Sequence, residues 1–250
     1  MTMRARSLIA VAAAGAAFLL AAGALAAGPA PAGTVTFLAG EATRAAGAKA
    51  EKLAIGSAIF QGDALETQKR TRLEVKLADG SVLRLGPSSK AAVQAAAFGK
   101  SVEERKVSAK LLVGKVWANV AKAVGGEQRF EVTTENAVAG VRGTTFRVDA
   151  ATDRSVVVKV YSGTVAVASG PIPRPEHRAA QVGQDQVKPA RRQIAGPQEV
   201  TREQWERIVT SMMEVRVSSE GAPTEPEAFA LASTGQDEWE DWNRSRDAGR

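Results

Sequence analysis

Leu73-Glu74-Val75-Lys76-Leu77-Ala78-Asp79-Gly80-Ser81-Val82-Leu83-Arg84-Leu85 is the stretch whose reading decides the fold. Leu73, Val75 and Leu77 alternate with charged residues, and Leu83 and Leu85 flank Arg84, which is the period-two pattern of strands with one buried face. Asp79-Gly80 marks the reversal, and parity selects its length. A two-residue turn would set Leu77 against Val82 and Val75 against Arg84, mixing apolar and charged side chains on one face. A three-residue loop, Ala78-Asp79-Gly80, sets Leu77 against Ser81, Val75 against Leu83 and Leu73 against Leu85, with Gly80 free to turn left-handed. The pattern predicts the three-residue loop.

A second hairpin is expected where Ser162-Gly163 would set Val160 against Val165 and Val158 against Val167. Further strands are expected at Thr34 to Leu38, Leu111 to Val120, Phe130 to Thr133, Thr144 to Val148 and around Ala180 to Val187. Short runs rich in Val, Leu and Thr, with no long helical period, imply a mainly β fold. It is one domain over residues 33–200, built as a solenoid-like stack or a sandwich of short strands.

The flanks read differently. Arg4 and Arg6 precede an uncharged apolar run from Leu8 to Leu25, and small residues at Ala24 and Ala26 suit cleavage, so residues 1–26 are expected to be a signal peptide, helical in its apolar run, with an uncleaved N-terminal anchor as the alternative. Residues 27–32 form a Pro/Ala/Gly linker. Cys is absent from all 250 residues, which excludes disulfides, thiolate metal sites and a lipid-modified cysteine. From Gly33 to Val200 there are 25 Lys and Arg against 16 Asp and Glu, whereas from Thr201 to Arg250 there are 6 against 11. The basic excess is spread along alternating strand positions, so it is read as a solvated face, and no nucleic-acid partner is expected.

Residues 201–217 are expected to form an amphipathic helix capped near Thr201, with Trp205, Ile208, Val209 and Met212 on one stripe. Residues 218–250 read as a flexible, acidic tail that is helical near its end. There Trp239 and Trp242 stand three apart and face one side, either packing on the domain or anchoring a partner.

Several segments resemble a FecR domain. Gly62-Asp63-Ala64-Leu65-Glu66-Thr67, then Arg72 to Ser89 through Leu85-Gly86-Pro87, and Leu112-Val113-Gly114-Lys115-Val116-Trp117 resemble its first half. The most specific segment runs from Phe130 to Val148 and contains Asn136, Val141-Arg142-Gly143-Thr144 and Phe146; Val160 to Val167 and Gln181 to Gln184 are similar to the closing strands. The resemblance implies a β-rich periplasmic domain, and the family's namesake is an inner-membrane regulator of a sigma factor. Only seven residues precede the apolar run, so the namesake's cytoplasmic anti-sigma part is expected to be missing.

The motif residues Gly62, Asp63, Asp79, Gly80, Asn136, Arg142, Gly143, Thr144, Phe146 and Gly163 are expected to be structural. Gly140 and Gly143 would flank a close turn, Arg142 would bond carbonyls or a carboxylate such as Asp63, and Asn136 and Thr144 would each close a local turn. Catalytic signals are thin. His177 is the only histidine and lies in a proline-rich loop, and the carboxylate pairs Asp63 with Glu66 and Asp149 with Asp153 are of a kind any chain this size supplies. No catalytic, cofactor or metal residue is assigned. The expected function is an exported, non-catalytic, FecR-like binding or scaffold module of the bacterial envelope, periplasmic or secreted, recognising a protein or polysaccharide. The alternatives are a regulator of cell-surface signalling that acts through a separate membrane anti-sigma or transporter partner, and a polysaccharide-active enzyme.

Overall fold

The computed structural model describes residues 29–47, 49–98, 105–121, 129–141, 143–170, 206–233 and 235–249. The signal segment, Arg142, His177, the strand expected at Ala180 to Val187, Thr201 and Trp205 lie outside them. The described chain forms β1 (Gly33–Ala39), β2 (Ala42–Ala46), β3 (Lys49–Lys52), β4 (Ala58–Ile59), β5 (Ala64–Thr67), β6 (Arg72–Leu77), β7 (Val82–Leu85) and β8 (Lys90–Phe98). There follow β9 (Arg105–Asn119), β10 (Arg129–Thr133), β11 (Ala137–Val141), β12 (Thr145–Ala150), β13 (Val156–Ser162), β14 (Thr164–Ser169), β15 (Glu206–Thr210), β16 (Met213–Val217), β17 (Glu227–Ala228) and the helix α1 (Glu238–Ala248). Among the described residues no helix is long and apolar enough to cross a membrane.

β6 and β7 pair as the alternation requires, Leu73 with Leu85 and Val75 with Leu83. Leu77 N–H donates to Ser81 O at 2.8 Å, and Gly80 sits at φ +86°, so the loop is the three residues Ala78 to Gly80. Asp79 closes it by accepting from Ser81 N and Ser81 Oγ.

The strands lie in two layers. One sheet runs β4-β1-β6-β7-β9-β12-β13-β16-β17. The other runs β3-β2-β5-β8-β9-β10-β11-β14-β15, antiparallel except for β9 with β10. β9 belongs to both and crosses at Gly114, where φ is +102° and a Cβ would lie 2.5 Å from Ser89 Cα. The chain steps from one layer to the other at further corners, among them β1 to β2, β5 to β6, β7 to β8, β11 to β12 and β15 to β16. The fold is thus a sandwich in its facing layers and solenoid-like in its stacking. Inward side chains of both layers merge into one core, in which Phe130 and Phe146 meet edge to face at 6.4 Å.

Two expectations need correction. Ser162-Gly163 does not close an in-plane hairpin: β13 pairs with β12 and β16, whereas β14 pairs with β11 and β15. A corner between layers keeps Val158, Val160, Val165 and Val167 inside just as a hairpin would, so alternation satisfies either arrangement. The region expected as a helix at 201–217 is described from Glu206, and there it forms β15 and β16. Ile208, Val209, Val215 and Val217 are β-branched and favour extended backbone, and β16 buries Val215 and Val217 on either side of exposed Arg216.

Candidate functional site

Register carries one outward position of each strand into a row across the first sheet. Phe37 opposes Glu74, Glu74 opposes Arg84, Arg84 opposes Trp117, Trp117 opposes Arg147, Arg147 opposes Lys159, and Lys159 opposes Glu214. Period-two alternation puts these side chains on the face away from the core. That face was expected to be solvated, yet Arg84 is 0% and Glu74 1% exposed. The chain's own C-terminal segment covers it.

α1 starts at Asp237, whose Oδ1 accepts from the N–H groups of Trp239 and Glu240 at 3.1 and 3.0 Å. Glu238, Glu240 and Asp241 fill the first turn and Arg246 the last, in keeping with the helix dipole. Trp239 packs on Gly86, where a Cβ would lie 3.2 Å from the indole, and Trp239 stacks on Trp242 at 5.2 Å. Trp242 also meets Phe37 at 5.3 Å. The tryptophan pair therefore packs on its own domain.

Polar links complete the cover. Arg84 donates to Glu74 at 2.7 Å and to Asp247 at 2.7 Å, and Trp117 Nε1 donates to the other oxygen of Asp247 at 2.9 Å. Arg246 reaches Glu74 at 2.8 and 3.1 Å, Arg147 joins Asp149 and Asp237, and Tyr161 donates to Glu240 at 3.0 Å. Phe229, just before the helix, lies under Lys159 at 4.9 Å and against Tyr161 at 5.3 Å.

These surroundings fix the charges. Burial alone would raise the Glu74 carboxyl, but hydrogen bonds from Arg246, Arg84 and Thr36 overcome it and hold the group at about 2. Burial likewise opposes ionisation of Asp237, and Arg147 together with the helix N–H of Glu240 pulls it below the usual carboxylate range. Burial and the neighbouring Glu240 charge push the Tyr161 hydroxyl well up. Glu74 and Asp237 are thus bound to cations and donors and held ionised, an arrangement that ties the C-terminal segment to the sheet.

The described motif residues lie at separate places in the fold. Asp63 accepts from Phe60 N and from Arg44, and Gly62 turns at φ +92° beside it. Gly143 (φ +55°), Thr144 and Gly163 (φ +92°) meet where two corners stack, and Thr144 Oγ1 donates to Thr164 O. Phe146 is in the core. Asn136 Oδ1 accepts locally from Thr134 Oγ1 at 3.4 Å and its Nδ2 donates to distant Ser218 O at 2.6 Å, while Thr134 Oγ1 accepts from Ala137 N. Gly140 lies inside β11 with room for a Cβ, and the left-handed backbone position of the pair is Gly143. The suspected carboxylate pairs are divided, with Glu66 on Lys90, Asp149 on Arg147 and Asp153 on Ser155. Sequence reasoning missed Glu74, Arg84, Trp117 and Arg147 as a group, because only register brings them together.

Two crystal structures of a "putative anti-sigma factor" from Parabacteroides distasonis ATCC 8503 are similar to this chain, at 17% and 16% identity with TM-scores of 0.44 and 0.43. Each comparison covers 66% of this chain and 59% of the other. Among curated proteins none matches. Residues 63–166 match the family model described as FecR protein, and that range holds Glu74, Arg84, Trp117, Arg147 and Lys159. Residues 63–166 thus match a FecR domain, and the outer face of the strands in that range is covered by the C-terminal segment.

Proposed function

We propose that the protein is a non-catalytic regulator of cell-surface signalling, exported to the bacterial envelope after loss of residues 1–26, which works by binding a membrane-borne protein partner. The observation that carries this reading is the FecR match at residues 63–166. The site's chemistry agrees with it. A general acid at neutral pH needs a carboxyl raised toward 7, whereas Glu74 and Asp237 are shifted the opposite way. The row of charges and aromatics is suited to holding a protein segment, and it holds one already, α1.

The test is crosslinking and recovery of the tagged mature chain from intact envelopes of its own host, paired with a reporter of sigma-factor output. Recovery of an anti-sigma protein or an outer-membrane transporter, with reporter output changed by deletion of the protein, is the expected result. Sedimentation with peptidoglycan alone, weakened by salt as a basic body requires, would replace the signalling reading with a wall-associated one.

A further inference from the structure

Beside the row of charges, between α1 and the first sheet, lies a cavity of about 730 Å³, within the size range of small-ligand sites. Its floor is aromatic. Trp117 and Tyr161 lie 4.3 Å apart, and their polar tips are already bonded to Asp247 and Glu240, so the rings present apolar surface to the cavity.

Met212 and Leu231 add to the wall, and both are large apolar residues left exposed, at 36% and 39%. Met212 stands at the corner from β15 to β16 with φ +62°, fixed by its N–H to Val160 O at 2.7 Å and by Phe229 N–H to its own carbonyl at 3.1 Å. A corner of that kind is cheapest with glycine or asparagine. A methionine held there against that preference, with its side chain on a cavity, marks the side chain as useful.

Charge at the mouth sets the ligand's other end. Three ionic side chains line the cavity: Asp241, Arg244 and Asp247. Asp247 has both oxygens engaged, by Arg84 and Trp117, and Asp241 accepts from Gly235 N at 2.7 Å. Among the described residues Arg244, partly exposed, reaches only as far as Glu240 at 4.0 Å, which leaves its fork of donors available.

We infer that this cavity binds an amphipathic organic anion, an apolar chain seated on Trp117, Tyr161, Met212 and Leu231 with its carboxylate on Arg244. The inference does not rest on the signalling reading. Calorimetric titration of the mature chain with dodecanoate, below its micelle concentration, is expected to show saturable one-to-one binding. Dodecyltrimethylammonium, with the same chain and the opposite charge, should bind at least about tenfold more weakly, and Arg244→Ala should cost dodecanoate a similar factor. Arg244→Ala should melt with the parent, since its one contact is long and partly solvated. Ala248→Trp, which fills the cavity from the exposed last turn of α1, should abolish binding. Absence of saturable binding to the parent, equal binding of the two detergents, or parent-like binding by both variants would each overturn the assignment. So would binding to phosphatidylglycerol vesicles without binding to dodecanoate, since the cavity takes a single molecule.

Discussion

Glu74→Gln keeps the size of the side chain and removes its charge. The native carboxylate is 1% exposed and accepts from Arg84, Arg246 and Thr36 within 2.7–3.1 Å. It is held at about 2 against an ordinary 4.5. A depression of that size corresponds to about 3 kcal/mol of stability. Because the folded value is depressed, the contribution is complete above pH 4.5 and is lost as pH falls through 4.5 toward 2, with about 2 kcal/mol already gone at pH 3. The glutamine variant lacks the charge at every pH and leaves Arg84 and Arg246 short of an anion, which at neutral pH should cost about 3 kcal/mol. Urea unfolding of parent and variant, followed by tryptophan fluorescence at pH 7 and pH 3, measures both quantities. The gap in stability should shrink by about 2 kcal/mol at the lower pH. A gap that is small at pH 7, or unchanged at pH 3, would show that the buried network is not held by the Glu74 charge.

Other outcomes follow from single positions. Trp239 is buried and its Nε1 finds no hydrogen-bond partner among the described residues, so Trp239→Phe should be neutral or slightly stabilising while Trp239→Ala costs about 3 kcal/mol, both read by urea unfolding. Gly114→Ala meets a left-handed backbone and an overlap with Ser89; a loss of about 4 kcal/mol or more is expected, seen as a collapse of the melting temperature. Asp237→Ala removes both the cap of α1 and a partner of Arg147, so hydrogen exchange in α1 should quicken while exchange in β6, β7 and β12 stays slow. Asp237→Asn keeps the cap acceptor and should fall between the two.

How far the sequence reaches is visible at three places. The β6–β7 loop was legible to its exact length, because one face is core and a shift of one residue would bury Arg84 against Val75. The corner at Ser162-Gly163 was not, since alternation records which side chains point inward and is silent on whether the next strand lies beside or opposite. What distinguishes the corner is the fit of Gly163 against Thr144, 19 residues away, where a Cβ would come within 2.8 Å of Thr144 Oγ1. At 206–217 the stripe Ile208, Val209 and Met212 has helical spacing, and the density of β-branched residues was the better guide.

The covered row lay beyond the sequence for a different reason. Each strand contributes one polar residue between apolar neighbours, and taken singly Glu74, Arg84, Arg147 and Lys159 have the signature of a wet surface. A sheet face that only had to meet a fixed helix would gain most from apolar side chains, since replacing a buried ion pair by well-packed apolar groups is often neutral or stabilising. Here the face is charged and its cations and anions pair within the sheet, Arg84 with Glu74, Arg147 with Asp149 and Lys159 with Glu214, before α1 adds Arg246, Asp247 and Asp237. Such a face tolerates water as well as a cover. α1 is held by these ion pairs together with the apolar packing of Trp239 on Gly86 and Trp242 on Phe37, and the balance of the two sets how tightly the helix is coupled to the sheet. Hydrogen exchange decides the point: slow exchange in α1 matching that of β6 and β7 would make the helix a permanent part of the core's cooperative unit, and faster exchange would make it a separable one.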